Sequence, residues 1–250
     1  PDAPEVLARE LAAKRYTVAP LAIGTNTDPY QPIERDRGIM RACLEVLRDF
    51  RHPVAIVTKG TLIERDLDIL SDMAGQGLVR VGVSVTSLDG ALSRKMEPRC
   101  PAPSRRLATI RRLSEAGVPV RVMASPVVPA LTDPELEHIL EAGRDAGATS
   151  ASWIMLRLPL EVAGLWQDWL AEHYPDRAAR IMGHLRAMHG GAEYSSKWHV
   201  RMRGEGPYAN LIAQRFRRAT RALGLDDNQP PLRCDLFRVP PKAGDQLSLF

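Results

Sequence analysis

The stretch LAIGTNTDPY, residues 21–30, decides how the rest of the chain is interpreted. Its apolar beginning is too short for a helix and predicts a parallel strand that is covered on both faces. The glycine allows a sharp turn away from the strand, and the proline prevents continuation as helix or ladder. The polar residues Thr25, Asn26 and Asp28 are therefore expected at the carboxyl end of a strand, where βα folds bind ligands.

The same pattern recurs four times along the chain. Apolar runs that end in polar residues or proline lie at residues 54–57, 79–83, 118–123 and 151–156, and helical patterns separate them. Five such strands predict an α/β fold, either a (β/α) barrel or part of one, with a doubly wound open sheet as the alternative. Because a helical pattern precedes residue 21, the barrel would lack its own first strand.

Three segments are expected from this pattern. Residues 1–160 would form a partial barrel containing strands two to six, and residues 161–225 a helical extension. Residues 226–250 are rich in proline and are expected to form a poorly packed tail.

Length and cysteine content limit the classes of protein to which this chain can belong. The 250 residues suffice for one βα barrel domain, and no run of about 18 apolar residues predicts a membrane span. Cys43, Cys100 and Cys234 are odd in number and have no ligand-like spacing. We therefore expect a cytoplasmic protein without disulfides, and no metal site on these cysteines. The chain begins with Pro1 and shows no leader pattern, so it is expected to be a piece of a longer protein.

The final third of the chain is basic. Residues 177–250 contain 13 Lys and Arg against 6 Asp and Glu, whereas the preceding residues contain 21 against 24. This excess predicts contact with nucleic-acid phosphates, and DNA is the expected partner. The alternative is an arginine-rich helix face that is only solvated. Four tryptophans are available for stacking on bases, although the first three lie in apolar patterns typical of a core: Trp153, Trp166, Trp169 and Trp198.

Lys59 is the first candidate for chemistry at a strand end. It follows the strand at 54–57 and precedes a glycine, so its ammonium is expected at the barrel mouth, suited to carboxylate binding or to a Schiff base. The alternative is a surface lysine on a loop. Ser84, at the next strand end, would bind the same anionic group or serve as a turn residue. Asn26 and Asp28 would hold an ammonium, but Asp28 before a proline also fits an Asx turn.

Four ordered runs carry a resemblance to a known family. They are GTNTDPYQPIE, VTKG, VSVTSLD with a following MEPR, and VMASPVVPALTD. Together they resemble the radical S-adenosylmethionine (SAM) proteins similar to spore photoproduct lyase, over nearly the whole chain. The resemblance implies a partial (β/α)₆ barrel that binds SAM across its strand ends. It also implies a [4Fe–4S] cluster, reductive cleavage of SAM to a 5′-deoxyadenosyl radical, and a lyase-like enzyme acting in DNA repair.

The resemblance also implies which residues bind SAM. They are Thr25, Asn26 and Asp28 for the amino group, Lys59 and Ser84 for the carboxylate, and Pro126 with Val127 beside the adenine. Tyr30 and Glu97 are expected in the barrel mouth, without an assigned role. The family's Cys-x₃-Cys-x₂-Cys loop is absent from these 250 residues. We therefore expect the cluster ligands to lie outside this chain and the chain alone to be inactive.

A second motif lies at residues 246–250. The sequence QLSLF resembles the peptide that binds the bacterial sliding clamp, in which apolar anchors enter pockets and glutamine bonds at the rim. The expected contact residues are Gln246, Leu247, Leu249 and Phe250. The alternative is a tail that folds onto the barrel.

Two other functions remain open from the residues alone. One is a Schiff-base lyase that uses Lys59 in a complete barrel. The other is a non-catalytic barrel that delivers the clamp-binding tail.

Overall fold

The computed structural model describes residues 2–226 and 229–241. Its one described sheet has five strands, in the order β1 to β5. The strands are β1 (Leu21–Ile23), β2 (Val54–Thr58), β3 (Val79–Ser84), β4 (Val120–Val127) and β5 (Ser150–Met155). β1 pairs with β2 in parallel, and β4 pairs with β5 in parallel. A doubly wound sheet reverses its strand order at a switch point, so the sequential order favours the predicted partial barrel.

Ten α-helices lie within the described ranges. They are α1 (Ala3–Leu11), α2 (Glu34–Arg37), α3 (Ile39–Asp49), α4 (Leu67–Gly75), α5 (Gly90–Met96), α6 (Pro103–Glu115), α7 (Leu136–Asp145), α8 (Val162–His173), α9 (Pro175–Met188) and α10 (Gly206–Leu223). Short 3₁₀ turns at Leu62–Asp66 and Asp133–Glu135 precede α4 and α7. None of these helices is both long and apolar enough to cross a bilayer, a statement that covers the described residues only.

The chain forms two compact units. Among the described residues, unit 1 comprises 2–82, 112–119 and 230–241, and unit 2 comprises 83–111, 120–226 and residue 229. The division falls inside β3 rather than near residue 160. The functional segments expected at 1–160, 161–225 and 226–250 stay a prediction.

In unit 1 the helix predicted between β1 and β2 is broken. A continuous apolar face predicts one helix from about residue 36 to 50, but Gly38 has φ 62° and separates α2 from α3. The buried carboxylate of Glu34 accepts a hydrogen bond from the backbone N–H of Met40 at 3.0 Å. A side chain from the first helix therefore caps the second across the break.

The proline-rich segment 230–241 is packed, contrary to the expectation of a poorly packed tail. Within unit 1, Phe237 lies with its ring 5.6 Å from the rings of Tyr16 and His52. The backbone N–H of Arg238 donates to the carbonyl of Phe50 at 3.0 Å. Aromatic contacts and backbone hydrogen bonds therefore hold this segment where composition predicts none. The clamp-like residues 246–250 lie outside the described residues.

In unit 2 the helix α5 follows β3. Pro98, Pro101 and Pro103 predict a long irregular loop after this strand, and α5 occupies its beginning. Asp89 caps α5, because its carboxylate accepts hydrogen bonds from the backbone N–H groups of Ala91 and Leu92. Further along, Arg215 of α10 donates to both oxygens of Glu137 on α7 and to the carbonyl of Asp133. This ion pair lowers the pKa of Glu137, and it connects α10 to α7, the helix that covers β4.

Helix α7 approaches β4 through a glycine. A Cβ at Gly143 would lie 2.6 Å from the Val122 side chain, closer than real Cβ contacts allow. Gly143→Ala is therefore expected to lower the free energy of unfolding by about 1–3 kcal/mol through overpacking. The control is Gly183→Ala in α9, where a Cβ meets nothing within 4 Å. That change should stabilise the protein by about 0.5–1 kcal/mol. Urea unfolding measures both, and equal effects would contradict the close approach of α7 to β4.

Candidate functional site

The end of β1 is bent over the end of β2. Gly24 has φ 91°, and a side chain there would overlap the carbonyl oxygen of Val57. Only glycine fits both the backbone conformation and the close approach. The predicted sharp turn after β1 is therefore confirmed, and it carries residues 25–28 to the carboxyl end of β2.

The carboxylate of Asp28 joins the two strand ends. Its Oδ1 accepts hydrogen bonds from the hydroxyl of Thr58 at 2.7 Å and from the backbone N–H of Tyr30 at 2.9 Å. Its Oδ2 accepts one from the backbone N–H of Lys59 at 2.7 Å. The Thr58 hydroxyl in turn accepts from the N–H of Gly60 at 2.8 Å. Asp28 therefore fixes the backbone on which Lys59 stands.

The hydrogen bonds from described residues leave one acceptor position on Asp28. An ionised carboxylate offers about four lone-pair sites, and the donors from Tyr30, Thr58 and Lys59 occupy three of them. The remaining position on Oδ2 suits one N–H donor of an ammonium group. The hydrogen bond from the Tyr30 N–H confirms the Asx turn at Asp28. Binding of an ammonium group by Asp28 stays a prediction.

The neighbouring predicted residues differ in exposure. Thr25 and Asn26 are exposed after β1, and Lys59 is half-buried after β2. The structure therefore brings Asp28 and Lys59 together at the ends of two paired strands. Thr25 and Asn26 stand on the same turn as Asp28 and offer polar groups to solvent.

Tyr30, expected in the barrel mouth, is instead turned into unit 1. It is 4% exposed, and its hydroxyl donates to Asp66 at 3.1 Å. Arg41 and Arg65 also donate to Asp66, which is fully buried. Burial and the Asp66 charge raise the pKa of Tyr30, so the phenol stays protonated. The Cβ and the carbonyl oxygen of Tyr30 lie close to Gly60, where an added Cβ would be 2.9 Å from the tyrosine Cβ.

Glu97 is likewise engaged with internal partners, in unit 2. It pairs with the guanidinium of Arg106 at 2.6 Å, and Arg106 is 1% exposed. Arg106 also donates to the carbonyl of Ser84 at 3.2 Å and to that of Pro101 at 2.8 Å. The guanidinium thus fixes the end of β3, where Ser84 is 5% exposed.

The end of β4 carries a buried hydroxyl without a partner. Thr86 Oγ1 lies 3.0 Å from the carbonyl oxygen of Ser125 and 3.1 Å from a Glu97 oxygen, and these two acceptors compete for its one proton. Ser125 Oγ itself is buried and has no hydrogen-bond partner among the residues that the structure describes. A buried hydroxyl is normally satisfied, so a bound polar group could complete Ser125. Other residues of unit 2 share this property, namely Asp133, Ser152, Arg157, Trp166, His189 and Arg201. Ser125 directly precedes Pro126, a predicted SAM residue, which is half-buried in β4.

No cluster of His, Cys, Asp or Glu suitable for a metal ion occurs among residues 2–226 and 229–241. Cys43, Cys100 and Cys234 form no disulfide within the described part of the chain, and burial raises the pKa of Cys43. A [4Fe–4S] cluster needs several thiolates within reach of one another. The described residues therefore do not fit such a cluster. Within unit 1, the Asp28 carboxylate and the neighbouring Lys59 are chemically suited to an ammonium and a carboxylate group.

Three residues that hold or occupy strand ends, one in unit 1 and two in unit 2, are missing from the sequence prediction. Thr58 and Arg106 hold strand ends, and Ser125 carries the unsatisfied hydroxyl. A hydroxyl residue directly at a strand end was a visible signal for Thr58 and for Ser125. No sequence pattern marks Arg106 as buried, because its position in α6 resembles that of an arginine on a helix surface.

Comparison with known proteins gives a family and distant relatives. The model described as "Radical SAM superfamily" matches residues 1–143. An uncharacterized protein of Mycobacterium tuberculosis is 37% identical over 177 residues, which is 70% of this chain and 52% of that protein. One of Methanocaldococcus jannaschii is 26% identical over 167 residues, 67% of this chain and 61% of that protein. The chain thus spans about half the length of the mycobacterial relative.

Two solved structures share the fold. They are mutants of spore photoproduct lyase, each 14% identical, with TM-scores of 0.58 and 0.56. They cover 89% and 88% of this chain, and this chain covers 63% and 62% of theirs. At this identity the likeness concerns the fold alone, and it confirms the predicted partial radical SAM barrel.

The bond set of Asp28 is testable by one isosteric change. Asp28→Asn keeps the shape of the side chain but replaces one carboxylate oxygen by an amide NH₂ group. This donor then faces the Thr58 hydroxyl or a backbone N–H, which are donors themselves. We expect the free energy of unfolding to fall by about 1.5–3 kcal/mol. Asp36→Asn is the matched control, because Asp36 is exposed in α2 of the same unit, and it should change stability by less than about 0.5 kcal/mol. Equal urea midpoints for wild type and Asp28→Asn would contradict the inferred hydrogen bonds.

Proposed function

This chain belongs to the Radical SAM superfamily, and we propose that the complete protein is an enzyme that cleaves SAM reductively to a 5′-deoxyadenosyl radical. The observation that carries the proposal is the paired strand end in unit 1, where Asp28 and Lys59 lie within the matched residues 1–143. SAM contains an ammonium and a carboxylate on one carbon. A carboxylate with a vacant acceptor position next to a lysine supplies one partner for each.

The proposed roles follow the chemistry of each residue. Asp28, with Thr25 and Asn26, binds the amino group, and Lys59 binds the carboxylate. From unit 2, Ser84 contributes to carboxylate binding and Pro126 to the adenine environment. Asp28 has a second task, because it also holds the backbone N–H of Lys59. Replacing Asp28 would therefore disturb both halves of the proposed SAM site.

The iron–sulfur cluster is proposed to have its ligands outside these 250 residues. Radical SAM proteins use a [4Fe–4S] cluster, yet the described residues contain no set of side chains that fits one. The chain by itself is therefore proposed to be inactive, and the cysteine loop to belong to another part of the protein.

DNA repair of the photoproduct-lyase type is the proposed setting of the reaction. It is supported by the shared fold with spore photoproduct lyase and by the basic residues after position 176. The Schiff-base alternative is less well supported. It requires a complete barrel, whereas the described sheet has five strands, and the family match favours SAM chemistry at Lys59.

We also propose the bacterial sliding clamp as a partner. The support is the QLSLF sequence at residues 246–250, which lies outside the described residues. A clamp contact would deliver the enzyme to replicated or repaired DNA, and it is compatible with a catalytic or a non-catalytic barrel.

Lys59→Ala is the cleaner test of the SAM site. Its loss removes a charge-assisted hydrogen bond without removing the bonds of Asp28, so SAM affinity should fall about ten- to a hundredfold. Lys14→Ala, at an exposed position of the same unit, is the control and should leave the affinity unchanged. The measurement is calorimetry on the complete protein, reconstituted anaerobically, with iron and sulfide assayed in the same sample. Unchanged SAM affinity in Lys59→Ala would mean that SAM binds elsewhere. A complete protein that contains no iron would refute the proposal that the cluster ligands lie outside these 250 residues.

The clamp contact is tested with the 250-residue chain. A short peptide that orders on binding should have a dissociation constant on the order of micromolar. Leu249→Ala with Phe250→Ala removes both apolar anchors and should abolish binding to a bacterial sliding clamp. Ser248→Ala is the control and should bind as the wild type does. If calorimetry shows no heat with the wild-type chain and no competition with a clamp-binding peptide, the clamp is not a partner.

A further inference from the structure

Unit 2 contains a pocket beside α10. Its lining residues come later in the sequence than the predicted SAM-binding residues. Its volume is about 360 Å³. The lining residues are Trp153, Arg203, Gly204, Ala209, Asn210, Ala213, Phe216 and Arg217. Two aromatic side chains and two arginines in one pocket suit a ligand with a flat ring and a negative charge.

The floor of the pocket is an aromatic and arginine stack. Trp153 is 2% exposed, and its ring is 6.2 Å from that of Phe216. The guanidinium of Arg203 lies over the indole at 4.3 Å. A guanidinium that rests on an aromatic face keeps its N–H edges available, and its orientation is already fixed. Arg203 is thus prepared to bind an oxyanion.

A row of arginines on α10 continues from the pocket. Arg217 lines both the pocket and a second concave surface formed with Gln214, Arg218, Arg221 and Ala222. Residues 214, 217, 218 and 221 share one face of a helix and span about 10 Å along its axis. The pocket and the arginines therefore form one continuous strip, which we call the α10 strip.

The charges of the α10 strip are not neutralised within the described part of the chain. Arg217, Arg218 and Arg221 are exposed and form no ion pair there, in contrast to Arg215, which binds Glu137 on α7. α10 contains no acidic residue. Desolvation of Arg203 lowers the pKa of its guanidinium, and no acidic group offsets this effect. An anionic partner would supply the negative charges that these arginines do not meet within the described part of the chain.

We propose that the α10 strip binds a single strand of nucleic acid, with phosphates along Arg217, Arg218 and Arg221 and one base in the pocket beside Phe216. A row of cations next to a pocket with an aromatic wall is the arrangement by which proteins hold single strands. A single strand is the preferred partner, because a base of a duplex must first be unpaired and unstacked before it can enter a pocket. The inference rests on the proposed role at nucleic acid, but strand binding itself needs no SAM.

Binding of a single strand is tested by fluorescence anisotropy, with labelled oligothymidine and the 250-residue chain. The assay contains neither SAM nor iron. A failure of strand binding is therefore distinguishable from a failure of the proposed SAM site. The wild type should bind with a dissociation constant between about 1 and 100 μM at physiological salt. Arg218→Ala with Arg221→Ala should weaken binding about five- to twentyfold, and the slope of log affinity against log salt should shrink by about 1.4. Arg111→Ala with Arg177→Ala removes the same charge from exposed positions of α6 and α9 and should bind within about twofold of wild type.

The pocket is tested by a change that leaves the charge constant. Ala213→Trp fills the pocket and should weaken strand binding about tenfold with an unchanged salt slope. Asn210→Leu, at an exposed lining position, repeats the test if circular dichroism shows that Ala213→Trp is unfolded. The proposal is overturned if pocket filling has no effect or if both double-arginine variants weaken binding equally. Equal affinity for duplex DNA or for polyphosphate of matched charge would also overturn it.

Discussion

The carboxylate of Asp28 is the interaction on which the candidate site depends. It accepts three hydrogen bonds from the chain, two of them from residues at the end of β2, about 30 positions away. Removing the acceptor would leave the Thr58 hydroxyl and the Lys59 N–H unsatisfied next to a strand end. This is costly, because Thr58 is buried and Lys59 is half-buried. The local geometry of Lys59 is thus fixed by an acid that itself faces the proposed SAM amino group.

The strands and most helices follow directly from the sequence, because short apolar runs between amphipathic stretches have few alternative interpretations. The exceptions have physical causes. Gly38 breaks a helix although the apolar face continues across it, since a left-handed glycine is not visible in hydrophobic periodicity. Segment 230–241 packs through Phe237, whose aromatic partners Tyr16 and His52 are some 200 residues distant and leave no local signal.

The candidate site was predictable in part for the same reason. Polar residues at the ends of neighbouring strands meet at one edge, so the nearness of Asp28 and Lys59 follows from strand order. The orientation of Tyr30 does not, because it is set by the buried acid Asp66 and the arginines that balance it. The unsatisfied hydroxyl of Ser125 is likewise a property of packing, which no sequence pattern expresses.

The most direct test of this account is a crystal structure of the complete protein with SAM bound under anaerobic conditions. The account predicts the SAM ammonium at hydrogen-bond distance from Asp28 Oδ2 and the carboxylate next to Lys59 Nζ. The hydrogen bonds of Asp28 to Thr58 and to the backbone of Lys59 should remain in place. SAM bound elsewhere, or a SAM complex in which Asp28 has turned away from the end of β2, would contradict the account.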